Sequence, residues 1–312
     1  MSVISVLKKN KVLRTIKNKS EDACGMLFPK YLSDVRFRRS FGGKANYANP
    51  TTLNDKLMYY KFNLFWENPL VALCADKYGV RKYIEECGCP EILNPLLGAW
   101  DRGEDIDWDA LPDKFALKCN HGSGYNIICK DKSSFDKEKA IKKLNEWMNT
   151  TYGYANAEQG IYSGIERKII AEKFIETPDD LPPNDYKFFC SYGDVYLLFV
   201  ACDRYEGKTK FDYYYPNWEW IPVKNAHPNK GVTEKPSTLD KMIEYAKKLS
   251  KPFPLVRVDF YSINDEVLFG ELTFTHFGCV TPFDPQSYDE SFGQLFPDVK
   301  EASDIRYNGD LV

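Results

Sequence analysis

The order of elements along the 312-residue sequence predicts an α+β fold with mainly antiparallel sheets. Segments with the two-residue alternation of strands come in neighbouring pairs joined by turns, at residues 114–130, 185–204 and 255–275. Amphipathic helices separate these pairs and do not follow every strand. Hydrophobic residues make up 43% of the chain, which suffices for a large core and excludes a disordered or fibrous protein.

The charge balance does not fit a dedicated nucleic-acid binder, because 42 Lys and Arg residues stand against 45 Asp and Glu residues. We therefore expect no nucleic acid as a partner. The nine cysteines lie mostly in apolar segments and there are only three histidines, so the sequence predicts free thiols and no Cys/His zinc site. No apolar run reaches the ~18 residues of a membrane span and no signal peptide is recognisable, so we predict a cytoplasmic protein.

The first twenty residues carry six Lys or Arg residues and no acid, with apolar residues interleaved in a roughly helical period. A basic amphipathic helix of this kind can rest on an anionic membrane surface, which predicts possible peripheral contact at the inner face of the membrane. The alternative is a solvated basic leader that packs partly on the body of the protein.

Helices follow near residue 50. Thr51 or Thr52 is predicted to cap a helix over residues 53–64, and a second helix spans residues 70–84. Residues 90–113 are rich in Pro, Gly and Asp and are predicted to be a connection.

Two later helices have capping signals in the sequence. Ser133 followed by Asp136 resembles a capping box, and so does Ser237 followed by Asp240. Between these helices, residues 193–194 are predicted to form the tight turn of a hairpin.

A glycine loop follows the first strand in "LKCNHGSGYNII". Its backbone amides can approach a phosphate closely, and Lys118 on the preceding strand can supply a cation. The loop is not a Walker A motif, because Lys118 precedes the glycines and a strand follows them. A lid over a nucleotide fits this order, whereas the alternative is a hairpin turn with a surface lysine.

Two acids face each other in the last predicted hairpin. If its turn uses residues 264–266, Asp259 stands opposite Glu271 with Cβ atoms about 5 Å apart. Carboxylates this close repel, and a site that tolerates them usually holds a dication or a shared proton, so the pair predicts a Mg²⁺ site. In the alternative, Arg257 neutralises Asp259 on a solvated face, and a one-residue slip would separate the two acids.

Several motifs together resemble the ATP-grasp superfamily, and more closely its TupA-like group, named after a teichuronopeptide biosynthesis protein. They are "NPTTLNDKLMYYK", "ADKYGVRKYI", "LPDKFALKCNHGSGYNIICKDKS", "IIAEKFIE", "DYKFFCSYGD" and "FPLVRVDFYSINDEVLFGELTF", which cover about residues 49–275. The resemblance implies two α+β subdomains that grip ATP between them, preceded by a helical N-terminal region. We divide the chain accordingly into a basic leader (1–48), a helical region (49–113), a small subdomain (114–175) and a large subdomain (176–312).

The resemblance also implies roles for residues toward ATP. Lys118 would hold the α- and β-phosphates and Lys187 would be a second phosphate cation, while the mobile lid would consist of Gly122, Ser123 and Gly124.

Adenine would lie against four consecutive hinge residues, Glu172, Lys173, Phe174 and Ile175. Asp179 is the candidate ribose ligand.

The resemblance assigns Mg²⁺ to Asp259 and Glu271. Many ATP-grasp enzymes have Asn two residues after the second acid, where this chain has Thr273, so the number of metal ligands stays open. His276 follows where relatives read "ELTFYPGSG", and it is predicted either to contact substrate or move a proton, or to be a structural histidine. The same two alternatives apply to His121 beside the glycine loop.

For the activity, the resemblance implies an ATP- and Mg²⁺-dependent carboxylate–amine ligase that works through an acyl phosphate. Arg257, together with Lys118 and Lys187, would neutralise the developing charge. Arg204 is a candidate clamp for the acceptor carboxylate, and a surface ion pair is the alternative.

The expected substrates are a uronic acid of a bacterial surface polysaccharide or its precursor, and an amino acid or amine. Aromatic residues at 213–220 are candidates for stacking on a sugar, or else form a packed loop. The competing predictions are a glycosyltransferase that uses a nucleotide sugar and a non-catalytic glycan-binding protein.

Overall fold

A computed structural model describes residues 11–205 and 207–302, without the side chains of residues 11–17. The described chain begins with two helices, α1 (Lys11–Leu27) and α2 (Pro29–Phe41), which pack on each other. The first half of the predicted basic amphipathic segment, residues 1–10, lies outside the described residues. None of the described helices is both long and apolar enough to cross a membrane.

The next helices largely follow the sequence pattern. Thr52 caps α3 (Leu53–Tyr60) by accepting a hydrogen bond from the backbone of Asp55, and a π-helical turn follows at Lys61–Phe65. The predicted second helix is in fact two, α4 (Pro69–Ala75) and α5 (Val80–Glu86). The helix breaks at Asp76, whose extended backbone lets its carboxylate bond to Tyr78 and Asn120.

A four-stranded antiparallel sheet forms the smaller layer. Its strands are β1 (Leu96–Trp100), β2 (Phe115–Cys119), β3 (Asn126–Cys129) and β4 (Ile169–Lys173), in the order β1-β4-β2-β3. The prediction that residues 90–113 are only a connection is therefore wrong, because β1 pairs with β4 despite its Pro- and Gly-rich surroundings. The predicted domain boundaries stay a prediction.

Helix α6 (Lys137–Met148) connects β3 to β4 and packs on β2. Its N-cap is Asp136, which accepts from the Lys139 amide, so the predicted cap at Ser133 is wrong. Ser133 belongs to a preceding 3₁₀ turn.

A six-stranded antiparallel sheet forms the larger layer. Its strands are β5 (Asp185–Ser191), β6 (Asp194–Cys202), β7 (Lys210–Tyr214), β8 (Trp220–Ile221), β9 (Val256–Ile263) and β10 (Glu266–Thr273), in the order β10-β9-β5-β6-β7-β8. The β5–β6 turn uses Tyr192 and Gly193, both with positive φ, one residue earlier than predicted.

Helix α7 (Leu239–Ser250) covers one face of this sheet by packing on β5, β6 and β9. Thr238 occupies its N-cap position, and the predicted cap Ser237 bonds instead to Asp265 in the last hairpin. Tyr213 and Tyr214 are fully buried, and Tyr214 stacks on Trp218 at 4.3 Å between ring centroids. Tyr213 and Tyr214 therefore belong to the packed interior, as in the packed-loop alternative, whereas Trp220 is 38% exposed and stays a candidate for stacking on a sugar.

The last hairpin joins β9 (Val256–Ile263) to β10 (Glu266–Thr273), and α8 (Ser287–Leu295) follows. The turn contains two residues, Asn264 and Asp265, both with positive φ, and not the three that were predicted. Glu271 nevertheless stands opposite Asp259, because a bulge at Gly270 shifts the register by one residue. Without the bulge, Glu271 would lie on the other face of the sheet.

Candidate functional site

A cleft of about 710 Å³ lies between the two sheets. The small sheet and its glycine loop contribute Lys118, Ser123 and Gly124 to its lining. The large sheet contributes a set of charged side chains: Asp185, Lys187, Arg204, Asp259 and Glu271. Residues that are distant in the sequence thus meet where nucleotide binding was predicted.

The register of the large sheet explains this convergence. Lys187 on β5 is the cross-strand partner of Asp259 on β9, and Asp259 is the partner of Glu271 on β10. The three side chains therefore form one row across adjacent strands. Two residues along, Arg257 and Thr273 form the next pair on the same face.

Arg257 links the acidic members of this row. Its guanidinium bonds to both carboxylate oxygens of Asp259 at 2.7 Å, to Glu271 at 2.9 Å and to Thr273 at 2.9 Å. Burial alone lowers the pKa of Arg257, but the charges of the two acids, led by Asp259, outweigh it and raise the pKa above its ordinary value. The guanidinium thus relieves the repulsion that the facing carboxylates were predicted to show.

The two acids differ in their access to the cleft. The side chain of Asp259 is 1% exposed, bonds to Arg257 and Lys187, and has a raised pKa because of burial. The side chain of Glu271 is 39% exposed, and among the described residues its Oε2 atom accepts no hydrogen bond. Burial alone would raise the pKa of Glu271, but Lys187 and Arg257 lower it to about 2.

The carboxylate of Glu271 is a suitable ligand for a hard divalent cation, because it is ionised and its Oε2 atom is open to the cleft. Asp259 already accepts three hydrogen bonds from Arg257 and Lys187 and is 1% exposed, so it is a less accessible ligand than Glu271. No cluster of three or more His, Cys, Asp or Glu side chains suited to a metal occurs in the described part of the chain, so water or phosphate would have to complete the coordination.

His276 lies behind Arg257. It is buried against Phe189 and Phe199, and its Nδ1 atom lies 2.6 Å from the Arg257 guanidinium. Burial and the charges of Arg257 and Lys187 hold the pKa of His276 well below 6.5, so the ring is neutral and accepts from Arg257. In this arrangement His276 positions Arg257. The protonated ring, which would act as the acid in the predicted proton transfer, is not populated.

Lys118 bonds to Glu172 at 2.5 Å, and Arg81 approaches the same carboxylate at 3.5 Å. The predicted hinge therefore divides: Lys173, Phe174 and Ile175 line the cleft, while the side chain of Glu172 is held in ion pairs at its inner end. A nucleotide that binds Lys118 has to compete with Glu172 for it.

Two of the predicted site residues, Asp179 and His121, do not line the cleft or the inner cavity. Asp179 accepts from the Leu181 amide in a turn and is not among the residues that line the cleft, although Asp180 and Leu181 are. The side chain of His121 lies 3.1 Å from the Trp147 carbonyl, and burial lowers the pKa of His121, which fits the structural alternative.

Lys77 and Asp185 were missed by the sequence reasoning. Lys77 lines the cleft, donates to the carbonyl of Gly122 in the glycine loop, and has a lowered pKa because of burial. Asp185 bonds to Lys187 at 2.7 Å and to Arg204 at 3.4 Å, and its Oδ1 atom is buried without a partner among the described residues. Both lie in motifs quoted above, "ADKYG" and "DYKFF", which was the available signal.

A second cavity of about 450 Å³ continues from the cleft past Lys118 and Glu271. Its far wall consists of polar and aromatic side chains, among them Arg36, Tyr152, Glu158 and Tyr162. Arg204 does not line this cavity. It lies in the first cleft beside Asp185 and Tyr261, so the structure keeps the predicted clamp apart from this wall.

Comparison with known proteins agrees with this geometry. The sequence matches the TupA-like ATP-grasp family over residues 55–297, which is most of the chain. The protein therefore has the ATP-grasp fold, with two antiparallel α+β layers on either side of a cleft. It belongs to the TupA-like ATP-grasp family. No curated protein matches the sequence.

The fold is also similar to solved structures of ligases, at low sequence identity. D-alanine–D-alanine ligase from Bacillus anthracis, in complex with ATP, is 16% identical over 65% of this chain and 55% of its own, with a TM-score of 0.37. D-alanine–D-alanine ligase from Helicobacter pylori is 15% identical over 80% of this chain and 70% of its own, with a TM-score of 0.41. N5-carboxyaminoimidazole ribonucleotide synthetase from Thermus thermophilus is 14% identical over 65% of this chain and 45% of its own, with a TM-score of 0.38. The chain thus spans about half the length of two of these structures.

The neutral state of His276 predicts a pH dependence of stability. Its pKa is lowered in the folded protein, so below pH 6.5 the unfolded chain binds more protons and the free energy of unfolding should fall, by up to about 1.4 kcal/mol per pH unit. The His276→Asn variant keeps an acceptor for Arg257 but does not titrate, and it should lose this part of the slope. Urea unfolding of both proteins between pH 7.5 and 5.5 measures the difference, and equal slopes would contradict the neutral assignment.

Proposed function

We propose that this protein is an ATP- and Mg²⁺-dependent carboxylate–amine ligase. The observation that carries the proposal is the cleft between the two sheets, in which a glycine lid, Lys118, Lys187 and the open carboxylate of Glu271 converge. Membership of the TupA-like ATP-grasp family supports it.

In the proposed reaction, a carboxylate oxygen of the acceptor attacks the γ-phosphorus of ATP, and ADP leaves. The uncharged nitrogen of an amine then attacks the carbonyl carbon of the resulting acyl phosphate, phosphate leaves, and the nitrogen releases a proton as the amide forms. Both steps build negative charge beside Lys118, Lys187 and Arg257, which can stabilise it without a covalent intermediate on the enzyme. Mg²⁺ bound at Glu271 would supply further neutralisation of the phosphate oxygens.

The network around Arg257 prepares the site for this charge. Because Asp259 is buried between Arg257 and Lys187, it holds both cations in place before substrate arrives. His276 fixes the guanidinium from behind without adding a second positive charge. Preorganised donors of this kind need little rearrangement during the reaction.

We assign the acceptor and the amine to the 450 Å³ cavity. Glu172 and Glu271, two acids that line it, are paired with cations. Glu158 is the third; it is buried, burial raises its pKa, and within the described ranges no Lys, Arg or His side chain lies within 4.0 Å of its carboxylate. Lys61, Arg36 and hydrogen bonds with Thr275 and Asn156 partly compensate the charge of this carboxylate, but none of the described cations pairs with it directly, so we place the incoming amine at Glu158.

For the acceptor we propose a uronic acid of a bacterial surface polysaccharide or its precursor, which rests on the sequence resemblance to teichuronopeptide biosynthesis. The glycosyltransferase alternative called for a parallel doubly wound nucleotide domain. All strand pairs in the two described sheets are antiparallel, so the fold does not support that alternative.

Nucleotide binding should depend on Lys118. We expect MgATP to raise the Tm by several degrees, because a ligand at 100 times its Kd adds about 2.7 kcal/mol, while Mg-UDP-glucose should have no effect. Lys118→Ala should lose most of the MgATP shift. Lys114→Ala is the matched control, since Lys114 also pairs with a glutamate but on the exposed surface. A full shift in Lys118→Ala would contradict the phosphate assignment.

The metal should act through Glu271. In the wild type, we expect Mg²⁺ to increase the stabilisation by ATP, as judged by Tm with and without EDTA. Glu271→Gln should remove the Mg²⁺-dependent part of the shift and retain part of the binding through Lys118. Glu266→Gln, at the exposed start of the same strand, should behave like the wild type. The Mg²⁺ assignment fails if Glu271→Gln keeps the full effect.

The substrate class can be tested in cells. Mass spectrometry of the surface polysaccharide should show an amide-linked substituent on a uronic acid that disappears when the gene is deleted and returns with the wild-type copy. Return with a Glu271→Gln copy, or a polysaccharide unchanged by the deletion, would contradict the proposed reaction on this substrate. The MgATP measurements above test the nucleotide chemistry separately.

A further inference from the structure

The connection between α1 and α2 exposes four large apolar side chains within six residues. Met26, Leu27, Phe28 and Tyr31 are 51%, 62%, 61% and 65% exposed, and we call these four residues the hairpin tip. Phe28 has a non-helical backbone and joins the two helices just before Pro29. Single exposed apolar residues are ordinary, but a cluster of this kind marks an interaction surface.

The helices that carry the tip are fixed to the body of the protein. Gln159 donates to the carbonyl of Gly25 at 2.7 Å, and the helix comes so close at Gly25 that a Cβ atom there would lie 1.8 Å from the Tyr154 carbonyl oxygen. Arg36 on α2 bonds to Glu21 on α1 and to Asn156 in the body. The tip is therefore presented outward by packed helices.

The charge around the tip identifies what it fits. Residues 1–45 contain 11 Lys or Arg residues and 3 Asp or Glu residues, which gives a net charge of +8. The rest of the chain contains 31 Lys or Arg residues and 42 Asp or Glu residues, which gives a net charge of −11. In the described part of this segment, Lys19, Lys30, Arg38 and Arg39 are exposed. Basic residues flanking exposed apolar side chains are typical of peripheral binding to anionic lipid.

We propose that the α1–α2 hairpin docks on an anionic membrane surface, with the hairpin tip inserted among the lipids and the basic side chains against the headgroups. The inference does not depend on the ligase activity. It moves the contact from the amphipathic pattern of residues 1–20 to the tip, which that pattern did not include.

Docking would also orient the candidate site. Arg36, which lines the 450 Å³ cavity, follows Tyr31 on the same helix by five residues, or roughly 8 Å along the helix axis. If the proposed function holds, an acceptor anchored in the bilayer could reach this cavity with its polar end.

Sedimentation of the full-length chain with lipid vesicles tests the proposal. We expect binding to phosphatidylglycerol vesicles at low salt, and much weaker binding to phosphatidylcholine vesicles or at high salt. The double variant Leu27→Ser, Phe28→Ser should bind phosphatidylglycerol at least about tenfold more weakly, because it removes apolar surface available for insertion. Val232→Ser is the matched control, since Val232 is 74% exposed but lies in a distant segment of the chain.

Circular dichroism shows whether the variants stay folded, and Met26→Ser with Tyr31→Ser is a second variant of the tip. The proposal is overturned if the wild type does not bind phosphatidylglycerol, or if both tip variants bind as well as the wild type. It is also overturned if light scattering shows a dimer that the tip substitutions dissociate while vesicles are not bound, since the tip would then bind a second copy.

Discussion

The candidate site depends on one buried guanidinium placed between two carboxylates. Arg257 bonds to Asp259, Glu271, Thr273 and His276, and this network lets two acids stand opposite each other on adjacent strands. Removing the cation would leave Asp259 buried with Lys187 as its remaining counter-charge. Breaking a buried ion pair in this way is costly, so the network constrains the register of the whole hairpin.

The same network divides the roles of the two acids. Asp259 is fully engaged in ion pairs with Arg257 and Lys187, whereas Glu271 keeps an oxygen open to the cleft. Under the proposed function, phosphoryl transfer would need fixed positive charge and a place for a metal, and neighbouring residues would supply both. Lys77 and Lys118 bring further cations from outside the large sheet: Lys77 bonds to the Gly122 carbonyl, and Lys118 pairs with Glu172.

The molecule also separates its charges at a larger scale. Residues 46–312 carry the excess of acidic residues and surround a cleft lined by both acids and cations, while residues 1–45 carry the excess of positive charge. Arg36 belongs to both regions, since it lies on α2 and lines the inner cavity. The proposed membrane contact and the proposed chemistry therefore meet at one helix.

The sequence by itself determined the fold class, the family and the strands that carry Lys118, Lys187, Asp259 and Glu271, because alternation and motif order are local properties. It failed where pairing decides the structure. Strand β1 forms because β4 offers it a partner, and Asp259 meets Glu271 because a bulge at Gly270 compensates for a turn one residue shorter than expected. Only the tertiary structure revealed Lys77, Asp185 and the neutral His276, since burial and the fields of distant charges assign their roles.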